Sequence, residues 1–232
     1  MKPNLALNEL VNHFVNEVLG KFNFNYFKNI KGRLAQVEYA TETLPHLGKG
    51  SARTVFAYSG SKALKIAINK KGLAQNEAEI MVYLKMSEGG YGDFVTRIYD
   101  YSKNHVWVLS EVVKPLNYDD AGEAKFNQLS GMSWTMFSRL IYPLGMGDSI
   151  KEAAQQVQKI YEETDEEYQL LGDLIKNPNK YPILKAVEYA MSRHIDLLRA
   201  DLDRIEHYGY SVDGRIVLLD YGFTREVKQE YY

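Results

Sequence analysis

Ala63-Leu64-Lys65-Ile66-Ala67 and, eight residues further on, Gln75-Asn76-Glu77-Ala78-Glu79 decide how this chain is read. The first is a short apolar run with one lysine inside it, and it predicts a strand from Ala63 to Ile68. An ammonium held among apolar neighbours is costly unless it meets an anion. The second stretch offers that anion from a helix predicted near Leu73 to Met86, with Ile80, Tyr83 and Leu84 on one side and Gly89-Gly90 as its stop.

Working outward, the chain between Leu47 and Val112 has the texture of antiparallel strands: Arg53 to Tyr58, Ala63 to Ile68, Phe94 to Tyr101 and His105 to Val112, with Ser59-Gly60-Ser61 as a hairpin turn. A glycine-containing turn, Leu47-Gly48-Lys49-Gly50-Ser51, lies between a first strand and the strand that ends in Val55-Phe56. Glycines there let backbone N–H groups approach phosphate oxygens. Upstream, Leu7, Leu10, Val11, Phe14, Val15, Val18 and Leu19 form one face of an amphipathic N-terminal helix, read as a docking helix with partner binding as the alternative. Phe22 to Phe27, rich in aromatics, is read as a packed connector. Its neighbours Lys28, Lys31 and Arg33 raise base stacking only as a lesser reading.

After Pro115 the pattern becomes helical. Ser133 to Tyr142 is one helix; a second starts at Ser149, where Ser149 and Glu152 have capping-box spacing, and runs toward Leu174 before Asn177-Pro178-Asn179; a third follows Tyr181-Pro182 and extends to Leu198. Asp213-Gly214 is a turn, and Ile216 to Leu219 a buried strand leading into Asp220-Tyr221-Gly222. The acidic run Glu162 to Glu167 reads as a solvated helix face.

Composition sets the bounds. The 232 residues, 45% hydrophobic and 25% charged, with 28 Lys plus Arg against 30 Asp plus Glu, are those of a folded globular protein and give no global reason to bind nucleic acid or an anionic membrane. The absence of cysteine excludes disulfides, thiolate metal sites and Cys nucleophiles. No apolar stretch approaches the ~18 residues of a membrane span, and the start lacks a signal peptide's apolar block, so a cytoplasmic address is expected. His13, His46 and His105 form no metal-ligand spacing; His194 and His207 read as structural.

The order of glycine turn, strand lysine and helix glutamate resembles the nucleotide lobe of the protein-kinase-like phosphotransferases, whose pattern is G-x-G-x-x-G-x-V followed by A-x-K. Gly48, Gly50 and Val55 match, as does Ala63-Leu64-Lys65, while Arg53 stands where the third glycine belongs. Further on, the eight residues from Arg199 to Glu206 align with H-R-D-L-x-x-x-N without a gap, and Asp220-Tyr221-Gly222 with D-F-G. The stretch from Asp201 to Gly209, followed by a hairpin and Asp-Tyr-Gly, also looks like small kinase-like proteins encoded by tailed bacteriophages.

The resemblance implies an α+β, two-lobe kinase-like fold: an N-terminal amphipathic helix and connector over residues 1–42, a small antiparallel-sheet N-lobe over 43–113, and a mainly helical, truncated C-lobe over 114–232. It implies ATP and Mg²⁺ as cofactors. Gly48, Gly50, Ser51, Arg53 and Lys65 would hold the nucleotide's phosphates, with Glu79, preferred to Glu77 on spacing, pairing Lys65. Backbone around Glu111 and Val113 would read adenine between the lobes; Asp201 would be catalytic, and Glu206 and Asp220 would bind metal. Departures from the pattern are Arg199 and Ala200 in place of His-Arg, Glu206 in place of Asn, and only ten residues after Gly222, which implies no platform for a peptide substrate. Two alternatives to a phosphotransferase acting on a hydroxyl are therefore kept: a pseudokinase that binds a host or virion protein, host cytoplasm being its address if phage-encoded, and a small-molecule kinase of aminoglycoside-phosphotransferase type.

Overall fold

The computed structural model describes residues 22–192, 195, 197–222 and 224–231. The expected helix over Leu7 to Leu19 and the position of His194 lie outside them. The fold is mixed α+β, with an antiparallel-sheet unit followed by a mainly helical unit. Contacts divide the chain into one unit that runs through Ile80 and takes in Arg97–Val112, and a second made of Met81–Thr96 and Val113 onward. Among the described residues, no helix is long and apolar enough to cross a membrane.

The first unit is built on a five-stranded antiparallel sheet of β1 (His46–Lys49), β2 (Arg53–Ser59), β3 (Lys62–Ala67), β4 (Ile98–Tyr101) and β5 (Trp107–Glu111), in the order β1-β2-β3-β5-β4. Side chains alternate across a sheet with period two, and the register pairs Phe56 with Leu64 and Leu64 with Leu109. That row, with Ile66 and Trp107, is the apolar face. It is covered by Phe27 of α1 (Phe24–Asn29) and by Ala40 of α2 (Arg33–Thr43). Phe22, Phe24, Phe27 and Trp107 meet there at ring separations of 5.3 to 6.2 Å. The expected connector is thus a short helix that does pack, begun by Asn23, whose side chain accepts from Tyr26 N at 2.9 Å. Helix α2 was not expected.

Two other boundaries differ from expectation. Leu47, Gly48 and Lys49 belong to β1 itself, so the turn is confined to Gly50–Ala52, and Gly50 N donates to Arg53 O at 2.9 Å. Phe94 lies in a 3₁₀ turn (Gly92–Phe94), and the strand begins only at Ile98.

Helix α3 (Lys70–Glu88) starts against the β1–β2 turn. Asn69 caps it by accepting from Gly72 N at 3.0 Å while its amide donates to Ser51 O at 2.8 Å. A methyl group at Gly72 would overlap the Ala52 carbonyl and press on Ala67 Cβ, so the first turn of α3 reaches this position only with glycine. In an exposed helix Gly→Ala is stabilising. Here Gly72→Ala is expected to lower stability by about 1–3 kcal/mol through overpacking, read as a fall in the urea midpoint; an unchanged or higher midpoint would contradict this packing.

The second unit holds α4 (Asp120–Ser130), α5 (Trp134–Gly145), α6 (Ile150–Ile160), α7 (Asp165–Lys176), α8 (Pro182–Ala190), α9 (Arg199–Leu202) and α10 (Arg225–Tyr231). It also has a three-stranded antiparallel sheet of β6 (Lys114–Pro115), β7 (Tyr208–Tyr210) and β8 (Ile216–Leu218). Its core joins Phe126, Trp134, Phe137, Leu140 and Tyr208, all buried. The helix expected to run from Ser149 toward Leu174 is two helices. Ser149 and Glu152 form the expected capping box, but Thr164 and Glu167 form a second one that starts α7 afresh. The helix expected to reach Leu198 stops at Ala190, where Leu197 N folds back to donate to Ala190 O at 3.1 Å.

The acidic run is likewise not a uniformly solvated face. Only 4% of the Glu163 side chain is exposed, beside Arg139 at 4.0 Å, while Glu167 lies 3.7 Å from the same guanidinium. Burial, and secondarily the charge of Glu167, raises the Glu163 pKa, with Arg139 opposing. A carboxyl whose folded pKa is raised contributes most below its unfolded pKa, and that contribution is lost as pH rises through the folded value. Glu163→Gln is therefore expected to raise the melting temperature at about pH 7 and to change it little at about pH 4; the reverse dependence in thermal melts would contradict the assignment.

Candidate functional site

Lys65 lies on β3, paired on one side with Val55 of β2 and on the other with Val108 of β5. Leu64 and Ile66 point to the apolar face, so period two turns Lys65 to the opposite face, together with Arg53 and Val55 of β2. Helix α3 brings Glu79 to that side. Glu79 is fully buried, and its two carboxylate oxygens are divided between two cations: Lys65 Nζ donates to Oε1 and Arg53 Nη1 donates to Oε2. The Lys65 and Arg53 side chains are 13% and 11% exposed. A carboxylate out of water is tolerated when both oxygens are satisfied by charged donors, and the planar guanidinium suits such a pairing.

One turn before Glu79, Asn76 is also fully buried. Its amide donates to His105 O at 2.8 Å and Val106 O at 3.2 Å, and its oxygen accepts from Arg53 Nη1 at 3.5 Å. Asn76 thereby ties α3 to the β4–β5 turn, in which His105 has φ 56°. The sequence reading missed it; the available signal was a polar residue three positions before Glu79, on the same helix face. Glu77 points elsewhere: its side chain is 60% exposed and lies 3.4 Å from His105 Nδ1.

The remaining expected nucleotide residues are placed as follows. A Cβ on Gly48 would meet nothing within 4 Å, and one on Gly50 only Arg53 O at 3.9 Å, so the strand end and turn keep open space over their backbone. Ser51 is exposed at the turn, and its carbonyl is held by Asn69. Glu111 ends β5 and exchanges backbone contacts with Arg97: its N donates to Arg97 O at 2.8 Å, and its carboxylate accepts from Arg97 N at 3.3 Å. Val113 is the residue at which the chain enters the second unit.

In the second unit Asp201 sits on the four-residue helix α9 and is 6% exposed. Its carbonyl is bonded to His207 Nδ1 at 2.9 Å, and that nitrogen lies 3.9 Å from its carboxylate. His207 thus braces the Asp201 loop. Tyr208 fixes the same loop from below: it is fully buried, its hydroxyl donates to Leu202 O at 3.0 Å, and burial holds its pKa well above the ordinary phenol value.

Strands β7 and β8 pair Tyr208 with Leu218, and Leu219 N extends the ladder by donating to His207 O at 2.7 Å. Glu206, in the 3₁₀ turn Ile205–His207 that precedes β7, and Asp220, two residues past β8, flank this same end of the ladder, and both are exposed. Tyr221 anchors this end, its buried hydroxyl donating to Thr96 O at 2.7 Å. Two carboxylates at one ladder end are hard oxygen donors, which suit Mg²⁺ when a substrate's phosphates and water complete the shell. No group of three or more metal-binding side chains occurs among the described residues.

No family model matches the chain, and no curated protein does. Solved structures do resemble it. The streptomycin–ATP–APH(2″)-IIa ternary complex is similar over 84% of this chain and 71% of its own, at 12% identity and a TM-score of 0.36. The GDP and kanamycin complex of APH(2″)-IIia covers 91% of this chain and 73% of its own, at 14% identity and the same TM-score. SAICAR synthase from Saccharomyces cerevisiae, complexed with SAICAR, covers 77% and 73%, at 12% identity and a TM-score of 0.32.

Proposed function

We propose that this chain is a kinase-like phosphotransferase that uses ATP and Mg²⁺ to phosphorylate a hydroxyl acceptor. The observation that carries the proposal is the buried Glu79 on α3 drawn to Lys65 on β3. A strand lysine oriented by a helix carboxylate is a positioned cation, and phosphoryl transfer depends almost wholly on positioning and on charge stabilisation. Lys65 holds the nucleotide's phosphates, with the open backbone at Gly48 and Gly50 approaching them. Glu111 and Val113 present backbone groups to the base. Asp201, braced by His207, orients the acceptor hydroxyl and takes its proton. Glu206 and Asp220 hold Mg²⁺, which supplies neutralisation of phosphate charge. The acceptor is a small hydroxyl compound of the kind an aminoglycoside-type kinase uses, and the cytoplasm is the compartment that supplies ATP.

A second reading is favoured by one contact. Arg53 replaces the third glycine of the loop pattern and takes one oxygen of Glu79, so Lys65 has only half of that carboxylate. A non-catalytic binding module descended from a kinase fits that sharing, with a host or virion protein as partner; the phage-type resemblance rests on the motif spacing alone. Mg²⁺-dependent turnover of ATP, with a panel of aminoglycosides as acceptors, separates the two. Turnover lost in Asp201→Asn supports the phosphotransferase; no turnover supports the module; turnover indifferent to Asp201→Asn contradicts the catalytic role given to Asp201.

A further inference from the structure

A cavity of about 610 Å³ opens within the sheet unit, away from the Lys65 side of the sheet, between α1, the N-terminus of α2 and the β4–β5 turn. Its walls carry Lys28, Lys31, Arg33 and Lys103 and no carboxylate, in a chain whose formal net charge is −2. Four cations around one concavity repel one another, and the low-dielectric wall of Ile30, Val106 and Trp107 strengthens that repulsion.

Only part of this charge is met by the protein. Lys28 pairs with Asp100 at 2.5 Å and lies 5.4 Å from the centre of the Trp107 ring. Among the described residues, Lys31 and Lys103 have no carboxylate partner, and the Arg33 Nε is buried without a hydrogen-bond acceptor. A buried donor left unmatched is costly unless a water or a ligand fills the gap.

Helix α2 adds a second source of positive potential at the same wall. Its N-cap is Gly32, with φ 97° and no side chain to cap the helix, and its first turn contains no acidic residue. The first ladder bond is Gln36 N to Gly32 O at 3.1 Å, so the amides of Arg33, Leu34 and Ala35 lack intrahelical acceptors. Helix N-termini favour anions, and a basic residue there is unfavourable unless an anion joins it. The uncapped amides, the unmatched Arg33 Nε and the two exposed lysines all suit an anion.

We propose that this cavity binds a small phosphate-bearing molecule, its phosphate held by Lys31, Arg33, Lys103 and the α2 amides and its body resting on Val106 and Trp107. The size fits a compact ligand. An extended nucleic acid would need a positive track beyond one concavity.

Trp107 reports occupancy directly once Trp134, the chain's other tryptophan, is replaced by Phe. Titration of that full-length protein with inorganic pyrophosphate at constant ionic strength is expected to change Trp107 emission saturably. Lys31→Glu with Lys103→Glu is expected to weaken the apparent affinity by about tenfold or more, while Lys65→Ala leaves it unchanged, each variant having been shown to fold by its circular-dichroism melt. A response that follows Lys65 instead of the cavity lysines, any other pattern, or no saturable response overturns the proposal. Because the readout does not involve turnover, it stands or falls separately from the phosphotransferase assignment.

Discussion

Glu79→Ala is expected to destabilise the protein by about 3–5 kcal/mol, more than Lys65→Ala does. Removing the shared carboxylate leaves two largely buried cations, Lys65 and Arg53, side by side with no counter-charge from Glu79. Removing Lys65 instead leaves the Arg53–Glu79 pair in place, so one cation still faces the carboxylate. The asymmetry distinguishes a shared carboxylate from a simple lysine–glutamate pair, in which either deletion strands one charge. A triple replacement by apolar residues of similar size, Arg53→Met with Lys65→Met and Glu79→Leu, is expected to recover much of the loss, because a buried ion cluster often stabilises no more than packed hydrocarbon. Urea unfolding of the three proteins checks the order; equal losses for Glu79→Ala and Lys65→Ala would contradict it.

Asp201→Asn is expected to lower the turnover rate by about 10²–10⁴-fold with little effect on the melting temperature. The carboxylate is nearly buried, but a bond that braces its loop is accepted by its backbone carbonyl from His207 Nδ1, and the amide variant keeps that bond. His207→Ala, by contrast, removes the brace and is expected to reduce both turnover and stability. Steady-state kinetics and melts on the same samples separate the two effects. A large stability loss in Asp201→Asn would mark the residue as structural.

The parts of the fold that were legible in the sequence are those with a strong local signal. The β2–β3 hairpin shows as β-rich runs on either side of Ser59-Gly60-Ser61, and α6 announces itself by Ser149 and Glu152. Lys65 was legible because a charge inside an apolar run demands a partner, and Glu79 is that partner. Helix α2 was not legible: its residues from Arg33 to Thr43 carry no apolar stripe, and its existence depends on Ala40 and Val37 packing on a sheet made of later residues. The break between α6 and α7 was hidden because Thr164 sits inside a run of carboxylates, where charge masked a second capping box. Helix α8 ends at Ala190 with no Gly or Pro to mark the stop, which is set by the return of Leu197.

The Arg53 side chain is the instructive case within the site. As a substitution in a glycine pattern it reads either as a stiffer lid or as an arginine that reaches the phosphates, and in the structure its guanidinium donates to Glu79 and Asn76. Its strand register puts it on the same face as Lys65, so an alternation argument applied to β2 would have paired it with the same carboxylate.

The most direct measurement of the central assignment is thermal stabilisation by ATP with and without Mg²⁺. A ligand that binds only the folded state raises its stability by mass action, by about 2.7 kcal/mol at a hundredfold excess over Kd. The native protein is expected to melt at a higher temperature with Mg²⁺ and ATP together than with either alone, and both Lys65→Ala and Asp220→Ala are expected to lose that shift. An unchanged melting temperature in the native protein at millimolar nucleotide, or a shift that survives both substitutions, would contradict the roles proposed for Lys65 and for Asp220.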